Sequence, residues 1–148
     1  GTSFSLNPRA LNTLEPGRKP FHTLNPSIAL FDDGRVMPFG TMGGEGQPQT
    51  QAAVFTRYAR FGQTLQQAVS APRWLLGRTW GATSTTLKLE SRFDPHVVSQ
   101  LADAGHAVEV LPEAFSDTMG HAGALVRHAN GVIEGAADPR SDGAVASL

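Results

Sequence analysis

A glycine-rich segment directly before a helix pattern constrains this chain more than any other part of its sequence. Residues 38–46, PFGTMGGEG, include four glycines, and an amphipathic helix pattern begins at about Pro48. An ordinary turn needs one or two glycines for its conformational freedom. Four glycines exceed this requirement, so the segment is a candidate for presenting its backbone amides where the helix starts.

The composition indicates one globular domain, 1–148, with a core of its own. Hydrophobic residues make up 40% of the chain and charged residues 17%, and no apolar run approaches the roughly 20 residues of a membrane helix. A net charge of −1 gives no electrostatic argument for nucleic acid or an anionic membrane as a partner. Cysteine is absent, which excludes disulfides and a cysteine nucleophile but leaves the compartment, cytoplasmic or periplasmic, undecided.

Short apolar runs predict six strands, four of which form two hairpins around Asp32-Asp33-Gly34 and Asn130-Gly131. Residues 1–25 and 74–85 are predicted to be irregular, because Gly, Pro and Thr interrupt any period. The predicted strands are 27–31, 35–39, 86–90, 107–111, 123–128 and 131–137.

Apolar spacing predicts a first helix from about Pro48 to a stop at Gly62. Val54, Tyr58 and Phe61 fall at i, i+4 and i+7, which places them on one face. We therefore expect this face to pack against the rest of the protein.

Capping sequences predict two further helices. Thr64 and Gln67 form a capping box for the second helix, and Asp94 followed by Pro95 begins the third, which ends at Gly105. The apolar positions of these helices are Leu65, Ala68 and Val69, and Val97, Leu101 and Ala104. The resulting element order predicts an α+β fold, with an antiparallel sheet that carries its helices on one face.

The glycine-rich segment has two chemical interpretations besides an ordinary turn. A phosphate-binding loop is disfavoured, because no Lys follows the last glycine and Glu45 would repel an anion. Alternatively, Gly43 and Gly44 place two backbone N–H groups at one point, as an oxyanion hole requires. The local sequence alone favours a plain strand-to-helix turn over this second interpretation.

The remaining polar clusters favour structural roles. The five histidines form no HxxxH or HExxH pair, so no metal site is predicted. His22 and Thr23 either contact a substrate or belong to an exposed loop, and the second alternative is favoured. The cluster Asp138, Arg140 and Asp142 either belongs to an active site or has a structural role, in which Arg140 pairs with a carboxylate and fixes the C-terminal segment. Arg73 has the same two interpretations, and the structural one is favoured for both. No GxSxG motif is present, and nothing in the chain indicates a nucleophile.

Taken together and in order, five segments resemble the gamma-glutamyltranspeptidase family over nearly the whole chain. The family belongs to the N-terminal nucleophile hydrolases, which implies a portion of a four-layered αββα sandwich. The resemblance further implies that a precursor cleaves itself, and that the new N-terminal Thr of its small subunit transfers a γ-glutamyl group, as in glutathione metabolism, through an acyl-enzyme. It implies no metal or organic cofactor. The matching segments are PGRKPFHTLNPSIAL, DDGRVMPFGTMGGEGQPQTQAAVF, FGQTLQQAVSAPRW, LKLESRFDPHVVSQLADAGHAVEV and GVIEGAADPRSDGAV.

Matched to the family's motifs, the residues of the site are only partly retained. The two oxyanion-hole glycines fall on Gly43 and Gly44. The family's two serines that hold the substrate α-carboxylate fall on His22 and Thr23, and the Asp that binds its α-amino group falls on Ser3. A neutral Ser3 cannot form a charge-assisted bond to an ammonium group, which puts strict γ-glutamyl specificity in question.

The resemblance also implies that 1–148 is the C-terminal part of the small subunit. The Thr nucleophile and the large-subunit Arg that grips the substrate would then lie before Gly1. We therefore expect no activity from this chain alone. Its partners are expected to be the large subunit and the N-terminal part of the small subunit, together with a γ-glutamyl or other acyl-amide substrate. Without these layers, exposed apolar surface is expected to cause self-association.

Two alternatives to a γ-glutamyl-transferring parent stay open. One is an amidase with another acyl group, similar to cephalosporin acylases. The other is a non-catalytic binding domain on the same scaffold, for which the replacements at Ser3 and His22 are the argument. The sequence leaves the acyl donor, the acceptor and the oligomeric state undecided.

Overall fold

The computed structural model describes residues 4–19, 22–79 and 83–146, so Ser3 lies outside the described residues. The described strands are β1 Ser27–Leu30, β2 Val36–Thr41, β3 Trp74–Leu76, β4 Leu87–Glu90, β5 Val108–Leu111, β6 Ala122–Arg127 and β7 Ile133–Ala137. The described α-helices are α1 Gln47–Ala59, α2 Leu65–Ser70 and α3 Pro95–Asp103. Two short 3-10 turns, Gly44–Gly46 and Asp117–Met119, lie between these elements. The predicted α+β class is confirmed.

Both predicted hairpins are present, and they form one antiparallel sheet in the order β1-β2-β6-β7. Their turns contain Gly34 at φ 84° and Gly131 at φ 88°, a backbone region that favours glycine. β2 pairs with β6, with Gly40 opposite Gly123, and this pairing joins hairpins that are distant in the sequence. The end of β2 and the start of β6 therefore lie side by side.

The helices α1 and α2 pack on one face of this sheet and form the core with it. Leu65, Ala68 and Val69 of α2 are fully buried, as predicted, and they join Met37 and Val126 of the sheet. Complete burial of a Leu or Val side chain contributes about 1.5–3 kcal/mol. The predicted capping box of Thr64 and Gln67 is also present, and it fixes where α2 begins.

The predicted apolar face of α1 holds for Val54 and Tyr58, which are buried. It is wrong for Phe61, whose side chain is 76% exposed. The helix ends at Ala59, before the predicted stop at Gly62, so helical spacing no longer sets the direction of Phe61. None of the described helices is long and apolar enough to cross a membrane.

A second sheet, in the order β3-β4-β5, was not expected as a separate unit. β3 lies in a stretch predicted to be irregular, and it pairs antiparallel with β4. β4 and β5 are parallel, and α3 connects them. Asp94 caps α3 as predicted, accepting a hydrogen bond from the His96 N–H. The predicted apolar face of α3 is not buried within the described residues.

The face of the four-stranded sheet opposite the helices exposes several large apolar residues beside Arg127. It carries Ile28, Leu30, Leu125 and Ile133, which are between 47% and 76% exposed; we call these four residues the apolar sheet face. Because side chains alternate along a strand, these residues point away from the helices that cover Met37 and Val126. A shallow cavity of about 660 Å³ opens on this side between β2, β6 and residues 141–146.

Candidate functional site

The glycine loop, which we define as residues 42–46, connects β2 to α1. The Met42 N–H donates to the carbonyl oxygen of His121 over 3.1 Å, which continues the strand pairing into the loop. Gly43 then has φ 139° and Gly44 φ 51°, both in the region that other residues rarely adopt. The Gly46 N–H donates to the Gly43 carbonyl over 2.9 Å and closes the turn that leads into α1.

Close backbone contacts are a second reason for glycine here. A Cβ on Gly44 would lie 2.5 Å from the carbonyl oxygen of Thr79. A Cβ on Gly43 would lie 3.4 Å from Cα of Gly120, and one on Gly120 would lie 2.0 Å from the Met42 carbonyl oxygen. The glycine loop is therefore pressed between two other segments of backbone, which fix its position.

The amides of Gly43 and Gly44 have no hydrogen-bond acceptor among the residues that the structure describes. They lie immediately before α1, where the helix dipole and the first helical N–H groups create positive potential. Unpaired backbone N–H groups at such a position can donate to a negatively charged oxygen. Glu45 lies beside them, where it forms a partly exposed ion pair with Arg78 over 3.2 Å.

The other candidate pair, His22 and Thr23, is exposed and lies near the same end of α1. The Gln47 side chain donates to the Thr23 carbonyl oxygen over 3.1 Å and accepts from the Asn25 N–H over 3.3 Å. Since Gln47 directly follows the glycine loop, it ties the segment of His22 and Thr23 to that loop. The structure thus brings these two candidate segments together.

Gln47 and Gln51 were missed in the sequence, although both are buried and bind the same segment. Gln51 donates to the Asn25 carbonyl over 2.6 Å and accepts a hydrogen bond from the Ser27 hydroxyl. The sequence feature that could have identified them is their spacing. The two amide side chains are four residues apart, on the face of α1 that also carries Val54. Their partners lie 22–26 residues away, which no local pattern identifies.

The predicted structural role of Arg73 and Arg140 is confirmed by a network of buried ion pairs. Arg73 Nη2 lies 2.6 Å from Asp138 Oδ2, and Arg140 Nη1 lies 3.0 Å from Asp138 Oδ1. Arg140 also binds both carboxylate oxygens of Glu90. Their four side chains are at most 1% exposed. Asp142 also belonged to the predicted cluster, but it is exposed and is not part of these ion pairs.

Burial and charge act against each other in this network. Burial raises the pKa of Asp138, but Arg73 and the N–H groups of Ala122 and Arg140 outweigh it, so its pKa falls below the usual value. Burial, together with Arg140, lowers the pKa of Arg73 to about 10, although Asp138 partly offsets this. Both groups are therefore ionised near neutral pH, as an ion pair requires.

The whole chain matches one protein family. The family model described as Gamma-glutamyltranspeptidase matches residues 1–148. The chain belongs to the gamma-glutamyltranspeptidase family. The resemblance seen in the five ordered segments is thus confirmed.

The curated relatives of this chain carry names that refer to different activities. The oxamate amidohydrolase proenzyme of Klebsiella pneumoniae subsp. pneumoniae is 62% identical over 146 residues, which are 99% of this chain and 28% of that protein. The glutathione hydrolase-like YwrD proenzyme of Bacillus subtilis is 44% identical over 148 residues, which are 100% of this chain and 28% of that protein. The chain thus spans 28% of the length of both curated relatives.

Among solved structures, the cephalosporin acylase from Bacillus halodurans is similar, with a TM-score of 0.74 and 29% sequence identity. The match covers 98% of this chain and 26% of the acylase chain. The predicted fold, a portion of an N-terminal nucleophile hydrolase, is confirmed by such neighbours. Within that fold, the described residues supply one sheet with its helices on one side, together with the smaller second sheet.

Proposed function

We propose that this chain is the C-terminal part of an amide-cleaving enzyme of the gamma-glutamyltranspeptidase family, in which Gly43 and Gly44 form the oxyanion hole. The observation that carries the proposal is the pair of glycine amides without an acceptor among the described residues, held at the start of α1. Their backbone is fixed by Thr79 and Gly120, so the two donors do not need to reorganise during the reaction.

The reaction requires a nucleophile from outside this chain. Its hydroxyl oxygen attacks the amide carbon and gives its proton to a base, and the carbonyl oxygen becomes negatively charged. Gly43 and Gly44 donate to that oxygen; loss of one such donor raises the barrier by about 3 kcal/mol. The C–N bond then breaks, the leaving nitrogen takes the proton, and water hydrolyses the acyl-enzyme to release the acid. The isolated chain is expected to be inactive, because this proposal assigns the donors to it and the attacking group to the remainder of the enzyme.

Oxamate is the substrate that we propose first. The relative named oxamate amidohydrolase is 62% identical to this chain, more than the glutathione hydrolase-like relative at 44%. Oxamate has a carboxylate next to its amide and no α-amino group, so it does not need the carboxylate that Ser3 lacks. The products would be oxalate and ammonia, with one water molecule consumed.

The test is a comparison of substrates on the intact protein that contains this chain. Ammonia release from oxamate is measured beside cleavage of a γ-glutamyl anilide and of a cephalosporin with an amide side chain. We expect kcat/KM for oxamate to exceed that for the γ-glutamyl anilide at least tenfold. A preference for the anilide would overturn the choice of oxamate, and inactivity toward all three would favour a non-catalytic binding domain.

The role of the glycine amides is tested by removing one donor without adding a side chain. Glycolate in place of Gly44 replaces its N–H by an ester oxygen, and the same replacement at Gly62, in an exposed turn, is the matched control. We expect kcat to fall by about 10²–10³ at Gly44 with little change in KM. Equal rates for the two esters would remove Gly44 from the oxyanion hole.

A further inference from the structure

A second turn packs against the glycine loop. Residues 116–122, which we call the backing turn, contain the 3-10 turn Asp117–Met119 and lead into β6. The His121 carbonyl accepts from the Met42 N–H over 3.1 Å. Gly120 is so close that a Cβ on it would lie 2.0 Å from the Met42 carbonyl oxygen and 3.0 Å from the Thr41 hydroxyl oxygen. Any displacement of Gly120 would therefore move the backbone that leads into Gly43.

Two threonines extend this support to both sides of the glycine loop. Thr79 donates from its hydroxyl to the Thr118 carbonyl over 2.7 Å, while its own carbonyl oxygen limits the space at Gly44. Thr50 of α1 donates to the Met119 carbonyl over 3.2 Å. The backing turn is thus connected to the segment on one side of the loop and to the helix on the other.

The backing turn is itself held by buried charged side chains. Glu90 accepts from the Ser116 N–H over 2.8 Å, and Asp138 accepts from the Ala122 N–H over 2.6 Å. Between these ends, Arg73 Nη1 donates to the carbonyl oxygens of Met119 and Gly120 over 3.4 and 3.0 Å. Three side chains that are at most 2% exposed therefore bind the start, the middle and the end of one short turn.

We propose that Arg73, oriented by Asp138, is a positioning residue for the two glycine donors of the oxyanion hole. This inference rests on the proposed function and deepens it. A buried ion pair is a poor source of stability, since apolar groups of similar volume often serve as well. Carbonyl oxygens, however, require directed donors, and the planar guanidinium of Arg73 reaches Met119, Gly120 and Asp138 at once. The network fixes a geometry that apolar packing cannot specify.

Arg140 provides a matched control within the same network. It is as buried as Arg73 and also pairs with Asp138, but its backbone partners are the carbonyls of Val69 and Ala71. No hydrogen bond joins its side chain to the backing turn among the described residues. If Arg73 positions the glycine loop, substitutions of Arg73 and Arg140 should affect the reaction differently. If both residues only stabilise the fold, the two substitutions should have similar effects.

The test compares Arg73→Lys with Arg140→Lys in the intact protein, on oxamate and on thiooxamate, in which sulfur replaces the amide oxygen. Sulfur is a weak hydrogen-bond acceptor, so the ratio of kcat/KM for the two substrates measures donation by the oxyanion hole. A loss of folded enzyme lowers both rates equally and leaves this ratio unchanged. If the intact protein prefers a γ-glutamyl substrate, glutamine and its γ-thioamide replace this pair.

We expect Arg73→Lys to lower kcat 10- to 100-fold on the oxygen substrate, with KM changed less than threefold, and to lower the oxygen-to-sulfur ratio at least tenfold. Arg140→Lys, which among the described residues reaches the backing turn only through Glu90 and Asp138, should lower this ratio less than threefold. Equal ratios in both variants would overturn the inference while the activity of the wild-type protein leaves the proposed function standing. Inactivity of the wild-type protein toward every amide would overturn the proposed function, and the inference with it.

A second variant keeps the test decisive if Arg73→Lys does not fold. Thr50→Val is close to the same shape and removes only the hydrogen bond to the Met119 carbonyl. We expect it to lower the oxygen-to-sulfur ratio two- to fivefold. An unchanged ratio in Thr50→Val would show that the backing turn does not position the glycine donors.

Discussion

The carbonyl oxygen of Thr79 lies 2.5 Å from the position that a Cβ on Gly44 would occupy. Real Cβ atoms do not approach backbone this closely, so a side chain at Gly44 has to displace one of the two segments. The requirement for glycine here is set by a tertiary contact and by a positive φ together. This relationship decides what substitutions at the loop can reveal.

Gly44→Ala should lower the free energy of unfolding by more than a positive φ alone would cost an alanine. Gly62→Ala is the control, because Gly62 also has positive φ, 66°, but has open space around it. We expect about 1–2 kcal/mol of destabilisation at Gly62 from φ alone, and at least about 2 kcal/mol more at Gly44 from the clash. Urea unfolding of both variants measures the difference, and equal losses would contradict the contact with Thr79.

Asp138 should make the protein sensitive to acid. Its pKa in the folded protein is lower than in an unfolded chain, where an Asp titrates near about 3.9. The stability that it contributes is complete above about pH 4 and is lost as the pH falls through its lowered pKa in the folded protein. Urea midpoints between pH 2 and pH 6 should therefore fall less steeply in Asp138→Asn than in the wild type. Asp142→Asn, outside these ion pairs, controls for the loss of one carboxylate from the same segment.

Gln47→Leu should release the segment that carries His22 and Thr23. The substitution leaves the Thr23 carbonyl and the Asn25 N–H without their partner. Because both residues are exposed, water replaces that partner, and we expect a destabilisation of only about 0.5–1.5 kcal/mol. Hydrogen exchange at the Asn25 amide should accelerate at least tenfold. Gln49→Leu is matched, because Gln49 binds the backbone of Leu76 in the same two-bond manner. Faster exchange at Asn25 in both variants would argue against a specific tie.

The apolar sheet face should make the isolated chain associate with itself. Ile28, Leu30, Leu125 and Ile133 are large apolar residues on the same side of one sheet, and each is at least 47% exposed. Light scattering should show particles larger than a monomer, and Leu30→Lys with Ile133→Lys should shift them toward monomer. Phe61→Lys, at an exposed residue just after α1, should not, because α1 packs on the opposite side of the sheet. A wild-type chain that stays monomeric at high concentration would contradict this prediction.

Local sequence was sufficient for the turns and caps. Gly34 and Gly131 in the hairpins, Thr64 at α2 and Asp94 at α3 all act within four residues of their partners, so their patterns are complete in a short segment. Where a prediction extended past an element, it was wrong, as for Phe61 beyond the end of α1. β3 was missed because its partner strand, rather than its own three residues, determines it.

The sequence by itself determined the family, the hairpins and the helix starts, and it placed Gly43 and Gly44 directly before the first helix. These features depend on ordered motifs and on contacts between near neighbours. Only the tertiary structure decided what surrounds those glycines. Arg73 meets Asp138 and Gly120 across 65 and 47 residues of sequence. Whether a buried charge finds a partner, or a backbone amide lacks one, depends on chain segments that only folding brings together.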